Sequence, residues 1–231
     1  MNIAITGHRG SIGSNVMLRL ALEGITFTVT DIDVLENPSG AAEDLAGCDA
    51  LIHLAYRHGF DHHHEYHFEN AWKHVAFLCA AQRHGINRIV LAGSTHELAP
   101  KTPYGYAKKF TSQCVYRHSY MLGQEVVNVI LPNIRFTSGL GSSLFALIAR
   151  ASRGECEYPR IARGARITSI SEIEAASALV SAATTGVAPE WLSGVPSRSL
   201  PGTVVEFALE VGGDPTAILD TDGNPLMPAE G

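Results

Sequence analysis

Cysteine is scarce in this sequence, and what there is lies scattered. Cys48, Cys79, Cys114 and Cys156 are the only four, and no two of them form a C-x-x-C pair. That spacing excludes a thiolate zinc site and a disulfide scaffold, and leaves reduced, mostly buried thiols. Long apolar runs are also missing. No stretch approaches the roughly 18 uninterrupted apolar residues of a membrane span. Positive charge is short as well. Seventeen Lys and Arg against 23 Asp and Glu leave a net charge of -6, without the basic footprint that phosphate-backbone binding requires. No basic region followed by a long apolar run opens the chain. Residues 1–6 read as a first strand rather than a signal peptide, and a cytoplasmic location is expected.

What is present is a core. The 231 residues are 45% hydrophobic, enough for one sizeable core with a small appended lobe. Strand-like runs at 2–6, 25–30, 50–54, 87–92 and 125–131 alternate with helical periods at 11–23, 65–84 and 104–122. Alternation of this kind predicts an α/β fold, a Rossmann-type doubly wound parallel sheet covered on both faces. After Pro132 the pattern loosens. Helices are expected near 142–152, 171–184 and 202–211, and the Gly-, Pro- and Asp-rich stretch 220–231 reads as loosely ordered. The expected division is a dinucleotide-binding domain over 1–132. Residues 133–231 would then supply the remaining sheet edge and a small substrate lobe that does not fold alone.

Between the first strand and first helix runs Thr6-Gly7-His8-Arg9-Gly10-Ser11-Ile12-Gly13. Glycines suit a tight turn, a close approach to pyrophosphate and close helix–strand packing. The helix start then offers N–H groups and a positive dipole end to an anion. The whole turn, Gly7, His8, Arg9, Gly10, Ser11, Ile12 and Gly13, is therefore a candidate cofactor site. Asp31 lies 18 residues beyond Gly13, at the end of the second strand. An acid there bonds ribose hydroxyls and repels a 2′-phosphate, which favours NAD over NADP, with Asp33 as the fallback. Arg9 points the other way, because it could pair with a 2′-phosphate.

Tyr104 and Lys108 stand four apart on a predicted helix and share a face. A tyrosine near pKa 10 is a poor base at neutral pH, and a nearby ammonium would lower that value. The phenolate could then take a proton from a substrate hydroxyl while hydride leaves its carbon, and serve as the acid in reverse. The Gly7-x-x-Gly10-x-x-Gly13 spacing, with Tyr104-Gly105-Tyr106-Ala107-Lys108 as Y-x-x-x-K, resembles the short-chain dehydrogenase/reductase superfamily. More closely it resembles the extended branch, the NAD-dependent epimerase/dehydratase family. Residues 1–135 carry that likeness. Asp49-Ala50-Leu51-Ile52-His53-Leu54-Ala55 resembles the strand that runs beneath the cofactor, which implies contacts at Leu54 and Ala55. Asn70 matches an Asn of the long helix. Ile89-Val90-Leu91-Ala92-Gly93-Ser94 resembles the strand ending in the catalytic Ser or Thr.

The resemblance implies that Ser94, Tyr104 and Lys108 are catalytic, with Thr95 as the alternative to Ser94. It implies an NAD-dependent oxidoreductase or epimerase acting on a sugar, sugar acid or sugar nucleotide, and a possible homodimer through the long helices, while charge and hydropathy already argue against a nucleic acid or membrane partner. It further implies substrate roles for Arg166 and Arg135, in Leu131-Pro132-Asn133-Ile134-Arg135. Glu172 stands where the family has Asp. Only ten positions separate Ser94 from Tyr104, shorter than the family's loop, which implies a more open site. The alternative reading is a dinucleotide-binding sensor with weak catalysis on the same fold. His58, His62, His63, His64 and His67 include i, i+4 pairs, but no thiolate or carboxylate pattern completes a site and no metal is expected.

Overall fold

The computed structural model describes residues 1–30, 37–56, 64–137 and 144–227. Five short apolar segments make its main sheet: β1 Asn2–Thr6, β2 Thr26–Thr30, β3 Ala50–His53, β4 Arg88–Ser94 and β5 Glu125–Leu131. They pair in parallel in the order β2-β1-β3-β4-β5. Period-2 alternation turns Ala4, Leu51, Ile89 and Leu91 to one face, where Leu45, Phe77, Leu78, Ile86 and Val115 bury them. Ile3, Ile5, Ile52 and Val90 face the other way and are equally buried. Both faces are covered, as a parallel sheet requires. The register sets Thr6 beside both Thr30 and His53, so the strands' C-terminal ends lie along one edge. Strand order reverses between β1 and β3, and such a reversal opens a crevice at that edge.

The helices start and stop where local chemistry dictates. In α1, Ser11–Leu22, Gly13, Val16 and Leu20 form the buried stripe. In α2, Pro38–Glu43, Asn37 accepts a bond from the Gly40 amide at 3.1 Å and Pro38 occupies the first turn. The sequence pattern had not indicated α2, whose six residues are too few to show a period. The long α3 spans His64–Arg83, and α4 is a single turn, Thr95–Leu98. At the start of α5, Pro103–Leu122, Thr102 accepts from the Gly105 amide at 3.2 Å; at its end Gly123 turns left-handed at φ 67°. Cys48 is buried, the other three cysteines are half-buried, and all four are free thiols.

The chain divides into two units, Met1–Leu131 with Ile173–Ser193, and Pro132–Glu172 with Gly194–Gly231. Most of α7, Glu172–Thr185, thus returns to the first unit, where Arg88 donates to the Ala183 carbonyl at 2.7 Å. The second unit holds β6 Asn133–Arg135, α6 Leu144–Ser152, β7 Arg166–Ile167, β8 Ser169–Ser171, β9 Arg198–Ser199 and α8 Leu200–Glu210. Phe145, Ile148, Ile161, Val204, Phe207 and Ile218 form its own core. Among the described residues none of its strands extends the main sheet; β6 pairs with β8 and β7 with β9.

The stretch from 220 is a correction to the sequence reading. Asp220 is 1% exposed, its carboxylate accepts the Asp222 and Asn224 amides at 2.9 and 2.8 Å, and Arg163 pairs with it at 2.5 Å. Composition suggested loose order. Side-chain-to-backbone bonds, the turn chemistry of Asp, order it instead as far as residue 227.

Candidate functional site

Backbone proximity builds the glycine turn. Gly7 leaves β1 at φ +71°, and a Cβ there would sit 2.6 Å from the Ala55 amide nitrogen and 2.7 Å from the Leu54 carbonyl carbon. Gly13 is as constrained: its Cβ would meet the Gly7 carbonyl oxygen and come within 2.6 Å of His8 Cα. The Gly10 amide closes the turn on the Gly7 carbonyl at 3.1 Å. Gly10 is also the N-cap of α1 and provides no side-chain cap, a helix start suited to an anion. His8, Ser11 and Ile12 are half-buried there, and Arg9 is exposed. Leu54 and Ala55, expected beneath the cofactor, are the groups the turn packs against. Asp31 and its fallback Asp33 lie outside the described residues.

Ser94, Tyr104 and Lys108 do come together. Ser94 ends β4 and caps α4, its hydroxyl accepting the His96 amide at 3.2 Å. The short connection folds as one helical turn lying tight on α5; a Cβ on Gly105 would fall 2.5 Å from the His96 carbonyl. That close seating lets Ser94 hydrogen-bond Tyr104 despite the missing loop. One helical turn on, the Lys108 ammonium donates to the Ala92 carbonyl at 3.0 Å. It lies 4.7 Å from the centroid of the Tyr56 ring and 5.8 Å from that of Tyr104. Tyr56 meets Tyr104 edge-on, with centroids 5.3 Å apart.

The electrostatics correct one expectation. Burial pushes the Tyr104 phenol up to about 12; the Ser94 hydrogen bond works against that shift and the Glu97 charge adds to it. Desolvation outweighs any lowering by Lys108 here. Its own ammonium is desolvated, which brings it down to about 8, with Glu97 partly restoring it. Glu97 is 6% exposed; burial raises its carboxyl, against the Asn128 hydrogen bond and the charges of Lys108 and Lys109.

Behind this group lies a buried polar chain. The Thr6 hydroxyl bonds His53 Nδ1 at 2.8 Å, and His53 Nε2 bonds His74 Nδ1 at 2.9 Å. Burial lowers both histidines, His53 well below its usual value and His74 to about 3. Tyr56 bonds His67 Nδ1 at 2.9 Å and also Asn70, the expected cofactor-side Asn. Tyr56, His74, Glu97 and Asn128 escaped the sequence reading. Two signals were available: His53 inside an otherwise apolar strand, and His74 on the stripe of Ala71, Val75 and Leu78. A buried polar side chain demands a partner.

The remaining candidates have the following surroundings. Thr95 is exposed on α4. Arg135 and Arg166 belong to the second unit. There Arg135 is 3.9 Å from the Glu210 carboxylate, Arg166 donates to the Ser197 carbonyl, and Glu172 accepts from Thr137 at 3.1 Å. His58, His62 and His63 lie outside the described residues. Among the described residues no three His, Cys, Asp or Glu side chains gather as metal ligands.

A glycine turn on a crevice, with Ser, Tyr and Lys on the adjoining strand and helix, is a combination that sequence comparison can check. The profile of the NAD dependent epimerase/dehydratase family matches residues 3–166. The chain belongs to that family. Within reach of the family is a curated relative, dTDP-6-deoxy-L-talose 4-dehydrogenase (NAD(+)) of Aggregatibacter actinomycetemcomitans. It is 31% identical over 148 residues, 50% of this chain and 54% of the relative. The chain thus spans about half the length of the curated relative it matches. UDP-N-acetylglucosamine 4-epimerase from Bacillus cereus superposes with a TM-score of 0.75 at 16% identity, covering 96% of this chain and 85% of that one. Thermus thermophilus UDP-glucose 4-epimerase, solved with NAD, gives 0.75 at 16% identity over 93% and 85%. At that identity the likeness is one of fold, and it agrees with the doubly wound parallel sheet expected of the family. No helix among the described residues is long and apolar enough to cross a membrane.

Proposed function

We propose that this chain binds NAD along the Gly7–Gly13 turn. There it catalyses hydride exchange at a secondary alcohol or carbonyl carbon of a sugar nucleotide or related sugar, with Tyr104 as the acid/base. The convergence of Ser94, Tyr104 and Lys108 within the first unit is the observation that carries this reading. The turn fits a dinucleotide: Gly7 and Gly13 let it pack tightly against residues 54–55 and on itself, and Gly10 opens α1 with no side-chain cap, leaving the helix's first amides to a phosphate. The relatives named above support NAD over NADP and a sugar nucleotide over a free sugar.

NAD, held along the Gly7–Gly13 turn, would supply the hydride acceptor or donor. The protein's own residues handle the proton. Tyr104 is neutral through the physiological range, since burial holds its phenol near 12. It is therefore set to give its proton to a substrate carbonyl oxygen, and Ser94 is placed to hold that oxygen by a second hydrogen bond. In the oxidative direction Tyr104 must first lose its proton. The Lys108 ammonium, charged below about 8, favours that loss.

The test uses dTDP-6-deoxy-L-talose with NAD, followed by nicotinamide absorbance. UDP-glucose is followed in parallel by chromatography for its 4-epimer, because an epimerase releases no NADH. Tyr104→Phe should lower turnover about a thousandfold and change NAD affinity by less than about threefold. Unchanged turnover in the variant would remove Tyr104 from the chemistry. Tight NAD binding with no turnover on either substrate would favour the sensor reading.

A further inference from the structure

The chain from Thr6 to His74 has a direction. The Thr6 hydroxyl accepts the Leu54 and Ala55 amides at 3.2 and 3.3 Å, which occupies its lone pairs. Its one proton must therefore go to His53 Nδ1, at 2.8 Å. A neutral imidazole that accepts at one nitrogen donates at the other, so His53 Nε2–H donates to His74 Nδ1. By the same rule His74 carries its proton on Nε2. His74 is 2% exposed, and among the described residues that nitrogen has no hydrogen-bond partner.

The donor has a cavity to serve. A space of about 20 Å³ is lined by His53, His74, Lys108, Glu97, Asn128 and Ser112, among others. That is room for one water, which needs roughly 10–15 Å³ and two or more polar partners. Asn128 Oδ1 is a second buried atom with no partner among the described residues, while its amide nitrogen donates to Glu97.

We propose that His74 is a positioning residue for Lys108: His74 Nε2–H and Asn128 Oδ1 hold one water in this cavity, and the water accepts a hydrogen bond from the Lys108 ammonium. The inference rests on the reading that Lys108 supports Tyr104. Three donor hydrogens sit on the ammonium, and the Ala92 carbonyl takes one. The water takes a second and fixes the ammonium between β4 and the aromatic rings. Neutral histidines suit the task, because a charged pair would expel the cation they steady. The other titratable groups lining this space are His53 from β3, Tyr56 just beyond it and Glu97 from α4; His67 from α3 and Tyr104 from α5 stand behind Tyr56, against its ring. Lys109 acts more distantly through Glu97. From β5 comes only the neutral Asn128.

Two measurements on the full chain test this, and neither needs turnover. The first is the ¹⁵N spectrum of the labelled histidines in the wild type from pH 6 to 8. His53 and His74 should both be neutral with the proton on Nε2. An Nδ1 proton on His74, or a charged His74, would overturn the proposal even if every variant failed to fold. The second follows the lysine Cε resonances with pH. The chain has only four lysines, so Lys108 can be assigned by its loss in Lys108→Met. In His74→Phe the ring stays but the donor goes, the water is lost, and the Lys108 midpoint should fall from about 8 to about 7. His74→Gln, which restores an N–H donor, should bring it back. An unmoved midpoint in a folded His74→Phe means that His74 only fills space. A midpoint that moves while Tyr104→Phe leaves turnover intact would separate this bridge from the proposed function and sink only the latter.

Discussion

The two halves of the site stand at the same edge of the sheet and are built by opposite means. The turn after β1 is made of backbone, and its shape depends on side chains being absent at Gly7 and Gly13. The pocket after β4 is made of buried side chains, and its chemistry depends on burial shifting Tyr104 up and Lys108 and His74 down. An added atom breaks the first half. Removal of a polar atom breaks the second. The first should therefore respond to substitution through sterics with little dependence on pH, and the second should respond through proton balance.

The largest effect is expected from Gly13→Ala. Its Cβ would collide with the Gly7 carbonyl and approach His8 Cα to 2.6 Å, backbone groups that cannot rotate away. The loss should be about 3 kcal/mol of stability, the upper end of the usual range for overpacked sites, and NAD affinity should fall at least about a hundredfold. Urea unfolding and calorimetric titration measure the two. The losses should be the same at pH 6 and pH 8. A loss that varies strongly with pH would break the contrast between the halves.

The next effect belongs to the pocket and appears only in acid. His53 and His74 have folded pKa values below their unfolded value, so between the two values the unfolded chain binds more protons. Their contribution to stability is complete above about pH 6.5 and is lost as pH falls toward 3. Each such histidine adds a slope of up to about 1.4 kcal/mol per pH unit. His74→Phe removes one of them. The stability gap between wild type and variant should therefore narrow by about 2–3 kcal/mol between pH 6 and pH 4. Parallel curves from urea unfolding would mean that His74 is already protonated in the folded state.

The same contrast explains what the sequence made legible. The turn and the Tyr104–Lys108 pair are local: spacings of three and four residues encode them, and the sheet strands appear as apolar runs that match the observed bounds within two residues. The histidine chain is not local. It needs the β1–β3 register that sets Thr6 beside His53, and it needs α3 to bring His74 over both. Neither fact is a spacing. The second unit was obscure for a related reason. Its strands have two or three residues, too few for any period, and Asp220 is ordered by an arginine 57 positions away. The short link from Ser94 to Tyr104 implied openness, whereas its compact turn on α5 keeps the two residues bonded.

The smallest effect should come from Gly10→Ala, which sharpens the steric half. Gly10 lies in the same turn, three residues from each of the other glycines. Its φ is −75°, which any residue adopts, and a Cβ there would meet only the Gly7 carbonyl, at 3.3 Å. A few tenths of an ångström of give would relieve that contact. Stability should change by less than about 1 kcal/mol, within the range of a surface substitution, and NAD affinity by less than about tenfold. If Gly10→Ala proved as damaging to NAD binding as Gly13→Ala, the space above Gly10 would be filled by the cofactor itself. The turn would then owe its glycines to the ligand as well as to its own packing. Stability in the absence of NAD tells the two apart, since only Gly13→Ala should lower it.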